Sequence, residues 1–243
     1  MAASARVLLP DGPGPFPAVV QMHGCGGITH NQLRWAELAR KAGCAALILD
    51  SFAVRGIGRM EAIATVCTGL RLHGRDRAGD LFAALAWLRA QPWADANRCC
   101  AIGWSHGGWS ILDALALRPA QYAQATRLFD LPAAPLEGLK GAFVLYPYLG
   151  RAAVAARQAL HHHVPVEAIV CGRDLTVGSA IPLAALRRLQ GAGAPVEAHV
   201  FAHCTHDFDE AGRRAPGMRY DRASAAKAHR LFEAFLRRHI LQD

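Results

Sequence analysis

The stretch that most limits how this chain can fold is the apolar run Cys99-Cys100-Ala101-Ile102, followed by Gly103-Trp104-Ser105-His106-Gly107 and then an apolar helical segment. A short apolar run predicts a buried strand, and the glycines flanking Ser105 permit a turn in which Cβ atoms would clash. A serine on such a turn is presented above the edge of a sheet. The rest of the chain must supply that sheet.

It does so by alternation. Val7-Leu8-Leu9 reads as an edge strand, and Ala18–Met22, Ala45–Leu49, Ala142–Tyr146 and Val166–Val170 read as buried strands. Residues 196–201 alternate in polarity, as expected of a wetter or edge strand. Helices are expected at 31–42, at 76–90 with Ala78, Leu81, Phe82, Leu85 and Leu88 on the apolar face, at 106–117, near 180–190, and at the carboxyl end around Ala228, Leu231, Phe232, Phe235 and Leu236. Residues 53–73 show no clean period and are expected to cross the surface as a pocket rim. Parallel neighbours need crossover connections, so this order implies an α/β fold with a mostly parallel sheet of about seven strands and helices on both faces.

With 243 residues, 52% hydrophobic and 19% charged, the chain is expected to form one globular domain over 1–243. No apolar run is long enough to cross a bilayer, which argues against a membrane partner. Met1–Arg6 lacks the pattern of a signal peptide, so a cytoplasmic location is the default expectation, with export open if a leader has been removed. The net charge of +8 raises nucleic acid as a partner, but the arginines are scattered, in pairs such as Arg187-Arg188, Arg213-Arg214 and Arg237-Arg238, and form no basic stripe. Seven cysteines without a repeated CxxC spacing speak against a zinc site and a full disulfide framework. Cys44, Cys99, Cys100 and Cys171 lie in or beside apolar runs, whereas Cys25, Cys67 and Cys204 occupy turn-like surroundings where one disulfide could form in an exported protein.

Ligands bind at the carboxyl ends of parallel strands, and the His23 loop, Asp50, Ser105, Asp174 and His206 all follow strands. A serine hydroxyl needs a histidine to take its proton and works best when a carboxylate fixes that histidine's tautomer. Downstream of Ser105 the chain supplies Asp174 after one strand, then His203 and His206 after the last. Ser, Asp, His is the chain order of α/β-hydrolases. His23-Gly24-Cys25-Gly26-Gly27 suits an oxyanion hole, with the backbone N–H groups of Cys25 and His106 as donors. His23 reads as a structural hydrogen-bonding residue, and Cys25 contributes its amide rather than its thiol.

These motifs resemble the dienelactone hydrolase family of α/β-hydrolases over nearly the whole chain. The resemblance rests on Pro15-Phe16-Pro17 before the His23-Gly24 strand, Asp50-Ser51-Phe52 with Arg55-Gly56, Gly103–Gly108, Gly172-Arg173-Asp174, and His206 followed by Phe208. In that family the histidine two residues before a phenylalanine is catalytic, which selects His206 over His203. The resemblance implies an acyl-enzyme intermediate, a pocket under a small rim, and no metal or organic cofactor. Strict dienelactone hydrolases carry cysteine as nucleophile; Ser105 is similar to relatives that act as general esterases. Arg55 stands where strict members hold a substrate carboxylate, and Phe52, Trp109, Tyr146 and Phe208 are further expected substrate contacts. The expected partner is a small-molecule ester, bound by a monomer or homodimer. Thioester or small-peptide hydrolysis would use the same triad, a binding protein could share the fold, and a metal site would have to draw on His161-His162-His163 or on His203 and His206.

Overall fold

Strands β1 (Ala5–Leu8), β2 (Phe16–Met22), β3 (Ala45–Leu49), β4 (Ala94–Trp104), β5 (Leu139–Leu145), β6 (Val166–Cys171) and β7 (Val196–Phe201) form one sheet in the order β1-β3-β2-β4-β5-β6-β7. β1 runs antiparallel to β3, and every other neighbour is parallel. The computed structural model describes residues 5–212 and 215–242. Met1–Ser4 and the Arg213-Arg214 pair, both used in the sequence reading, lie outside the described residues.

Side chains alternate across the strands, and this sorts the core into two layers. Cys99 and Ala101 face one layer while Cys100 and Ile102 face the other. Helices α2 (Gly74–Arg89), α3 (His106–Ala116) and α4 (Ala180–Gly191) cover the first face through Leu81, Leu85, Leu112, Leu186 and Leu189. Helices α1 (His30–Lys41) and α5 (Arg222–His239) cover the second through Trp35, Ala36, Phe232, Phe235 and Leu236. Among the described residues no helix is long and apolar enough to cross a membrane.

The strands and main helices fall where hydrophobic periodicity placed them, with ends shifted by a few residues. β4 is longer than its apolar run because Ala94–Arg98 continue the strand at its solvent-facing end. Residues 53–73 are not featureless: Ala53–Arg55 and Arg59–Glu61 are single helical turns, and Ala62–Val66 is a π-helical turn. Three different helical periods within so short a stretch cancel any single periodic signal.

The chain runs from β2 out to β3 on one side and then crosses to β4 on the other. The carboxyl ends of β2 and β4 therefore flank the switch point where α/β sheets open a crevice. β2 ends in the His23 loop and β4 ends in Ser105.

Candidate active site

Ser105 has φ 49° and ψ −110°, a backbone state that costs about 1–3 kcal/mol for a residue with a side chain. Its surroundings hold it there. Ser105 N–H donates to Leu145 O at 2.9 Å, and Trp109 N–H donates to Ser105 O at 3.0 Å. Glycine is required on both sides: a Cβ on Gly103 would lie 2.6 Å from the Gly107 carbonyl carbon, and one on Gly107 would lie 1.9 Å from Met22 O. Without those side chains α3 packs directly on the end of β2, and the turn closes.

Three side chains meet above the turn. His206 Nδ1 lies 2.6 Å from Asp174 Oδ2, and His206 Nε2 lies 3.0 Å from Ser105 Oγ. A carboxylate can only accept, so Nδ1 carries the proton and Nε2 is left to accept from the serine hydroxyl. All three residues are buried. Asp174 also accepts from the N–H groups of Thr176 (2.8 Å) and Val177 (3.0 Å) through Oδ1, so its capping and orienting functions use separate oxygens. Gly172 brings it there, since a Cβ at that position would lie 2.4 Å from Ala202 O.

The site opens into a cavity of about 410 Å³ lined by Ser105, His206, the Gly24–Gly27 backbone, Trp109, Tyr146 and the rim residues Ile63 and Val66. Cys25 is disulfide-bonded to Cys67, which ties the loop after β2 to the rim across 42 residues of sequence. The thiol of Cys25 is thereby occupied. Cys204, grouped with these two by sequence, is free and buried, as are the four cysteines of the apolar runs. Burial pushes the Cys44 and Cys99 thiols up to about 12, which makes them inert to exchange. Closing a loop of this length is worth about 4 kcal/mol through the unfolded chain. Cys67→Ser, or reduction of the wild type, is expected to lower Tm by several degrees; an unchanged Tm would mean other contacts hold the rim.

Two expected substrate contacts, Trp109 and Tyr146, line the cavity. Three do not. Arg55 donates to both carboxylate oxygens of Asp80, at 3.0 and 2.8 Å, and to Ser51 O at 2.7 Å, and it faces a separate cavity of about 200 Å³. Its guanidinium is already paired, so the sequence assignment to a substrate carboxylate is corrected. Phe52 packs edge-on against His23 and Phe208 lies among Tyr146 and Phe201, both as core residues behind the loops they follow. His162 Nε2 bonds the Tyr122 hydroxyl at 2.6 Å, and the three adjacent histidines do not converge. Among the described residues the group of ligand atoms close enough to share an ion is Glu167, Glu197 and His199, at the β6–β7 edge, where Glu167 also accepts from Arg238.

Two buried groups organise the site without any local sequence motif. Asp209 Oδ2 accepts from Asn31 Nδ2 (2.8 Å), Trp35 Nε1 (3.0 Å) and Trp104 Nε1 (3.1 Å), and Oδ1 accepts from the Tyr146 hydroxyl at 2.7 Å. The Tyr146 ring lies 4.6 Å from the His206 ring, so this carboxylate ties the His206 loop to α1, to the residue before Ser105 and to the end of β5. The chain returns to the same loop further on: Arg219 N–H donates to Thr205 Oγ1 at 2.7 Å, Met218 bridges to His206, and Asp221 N–H donates to Phe208 O at 2.8 Å. Arg77 is the second group, fully buried beneath the elbow. Its register with Leu81 and Leu88 on the apolar face of α2 was the one available signal.

His23 and His106 are enclosed and neutral. Burial first, then the Arg77 charge, lowers His23 to about 3 and holds His106 well below the ordinary imidazole value. His23 Nδ1 donates to Gly24 O at 2.7 Å and Nε2 accepts from Ser51 N–H at 3.2 Å, the structural part expected of it. In the unfolded chain both rings take up protons near pH 6.5. Folded stability from this source is therefore complete above pH 6.5. It is lost as pH falls, at about 1.4 kcal/mol per unit for each ring. Urea unfolding at pH 7.5, 6 and 5 is expected to show the decline, and His23→Gln to reduce its slope; a flat profile would mean the rings protonate without unfolding.

The family model described as the dienelactone hydrolase family matches residues 3–240. No curated protein sequence matches. Among solved structures, a candidate dienelactone hydrolase from Klebsiella pneumoniae superposes with TM-score 0.73 at 17% identity, covering 97% of this chain and 92% of that one. Esterase 2 of Thermogutta terrifontis, phosphorylated by paraoxon, gives TM-score 0.71 at 18% identity over 96% of this chain and 88% of that one. The propionate-bound form of the Thermogutta enzyme gives TM-score 0.68 at 18% identity over the same shares. At these identities the likeness is one of fold.

Proposed function

The chain belongs to the dienelactone hydrolase family, and from that premise we propose that it hydrolyses carboxylic esters of small molecules through an acyl-serine intermediate. The observation that carries the reading is the continuous relay from Asp174 through His206 to Ser105, at 2.6 and 3.0 Å.

In this reading His206 Nε2 takes the Ser105 proton as Oγ attacks the ester carbonyl, and the carbonyl electron pair moves onto oxygen. The amides of Cys25 and His106 receive that oxyanion. Both line the cavity with Ser105, and among the described residues no hydrogen bond occupies either N–H. Collapse of the intermediate expels the alcohol, which takes the proton from His206. Water then attacks the acyl-serine with His206 as base, releasing the acid and restoring Ser105. Asp174 keeps the imidazole in the productive tautomer throughout. Every step uses groups of this chain.

The reading is tested by incubating the protein with a fluorophosphonate and mapping the adduct by peptide mass spectrometry. A stoichiometric adduct on Ser105, together with turnover of short aryl esters, is expected. A panel of aryl esters of increasing chain length, a lactone and a thioester then orders the acyl preferences. Protein that is folded yet inert to both reagent and panel would sink the proposal.

A further inference from the structure

Arg77 projects from α2 into the space beneath the elbow, with no exposed surface. Its Nε donates to Ser51 Oγ at 3.0 Å, and its Nη1 donates both to His23 O at 3.0 Å and to His106 Nδ1 at 3.0 Å. A guanidinium offers no acceptor, so His106 Nδ1 is unprotonated and its Nε2–H donates to Leu72 O at 2.7 Å. One nitrogen of Arg77 therefore holds the residue that opens the Cys25 loop and the side chain of the residue whose amide opens α3. We propose that Arg77 is a positioning residue for the oxyanion hole, fixing the spacing between the Cys25 and His106 amides. The inference rests on the ester-hydrolase reading.

An apolar side chain would pack on this face of α2 without the several kcal/mol that burying a cation costs. No carboxylate touches Arg77 among the described residues, and one guanidinium N–H₂, Nη2, has no partner there. Burial lowers Arg77 to about 10, so it remains charged at neutral pH. What the cation supplies is directional: charged donors make stronger hydrogen bonds than neutral ones, and three of them converge from a rigid planar group. A substrate carbonyl is neutral on binding and becomes anionic only in the transition state, so loosening this arrangement should act on kcat and spare KM.

The test measures Arg77→Met with a short aryl ester, counting active sites by the phosphonate burst so that misfolded protein does not enter the rate. The expected result is a kcat about 10- to 100-fold lower with KM within about twofold, as for a small misplacement of catalytic donors. Affinity for an aryl trifluoromethyl ketone, which forms a tetrahedral oxyanion on Ser105, should fall by the same factor. Should Arg77→Met fail to fold, Arg77→Lys keeps a cation but lacks the planar fork, and it is expected to lose about 5- to 10-fold in kcat with the same ketone signature. Unchanged kcat and ketone affinity in either folded variant would overturn the inference and leave Arg77 a packing residue. Wild-type protein that takes up no phosphonate would overturn the hydrolase reading itself and this inference with it, a result separable from loss confined to the Arg77 variants.

Discussion

Replacing Ser105 with alanine is expected to lower kcat on a short aryl ester by about 10⁶-fold, to abolish fluorophosphonate labelling, and to leave the unfolding transition in place. The loss is this large because the triad works as one unit: without Oγ, His206 Nε2 has no hydroxyl from which to take a proton and the relay behind it has nothing to activate. Residual hydrolysis above the rate in water would come from the oxyanion donors and the pocket. Alanine meets the same backbone strain as serine, and the bonds holding φ at 49° are made by the main chain, so the elbow should persist. Activity retained within tenfold of wild type, measured on protein freed of contaminating esterases, would end the scheme.

Asp174→Asn should lower kcat by about 10³- to 10⁴-fold with KM and fold little changed. The amide oxygen can keep the bonds from Thr176 and Val177, which leaves the amide nitrogen facing His206 Nδ1. Two donors cannot share that contact, so the imidazole shifts to the tautomer protonated at Nε2, which can no longer accept from Ser105. Asp207 offers no substitute, because its carboxylate lies 3.9 Å from Nε2, on the wrong side of the ring. An unchanged rate would assign the orienting carboxylate elsewhere.

The contrast between Asp174 and Asp209 shows what a linear sequence can reveal. Asp174 follows a readable strand and falls in a known chain order, so its place beside His206 is legible without coordinates. Asp209 has no such context: its partners at 31, 35, 104 and 146 come together only when the sheet closes. The central strands were legible because they are buried on both faces and read as apolar runs, and β7 because its polarity alternates as an edge strand's does. Arg55 shows the opposite failure. Its position after β3 matched a pattern of relatives, but nothing local announced that Asp80, 25 residues on, would occupy its guanidinium. Phe52 and Phe208 were assigned to substrate because they adjoin catalytic loops. Adjacency along the chain does not tell which way a side chain turns, and both turn inward. The disulfide lay between these cases: Cys25 and Cys67 were marked by their turn-like settings, while the choice of partner required the rim to be folded over the pocket.

The double anchoring of the His206 loop has a consequence for how such a site can diversify. Asp209 pins the chain just after His206, and the return through Met218, Arg219 and Asp221 pins it again beside Thr205 and Phe208. The stretch between these clamps begins and ends at nearly the same place, and Glu210, Ala215 and Met218 from it border the pocket. Lengthening a loop whose ends are already joined costs little entropy. Insertions and substitutions next to Glu210 and Ala215 can thus recut the mouth of the pocket while the distance from His206 to Ser105 stays fixed.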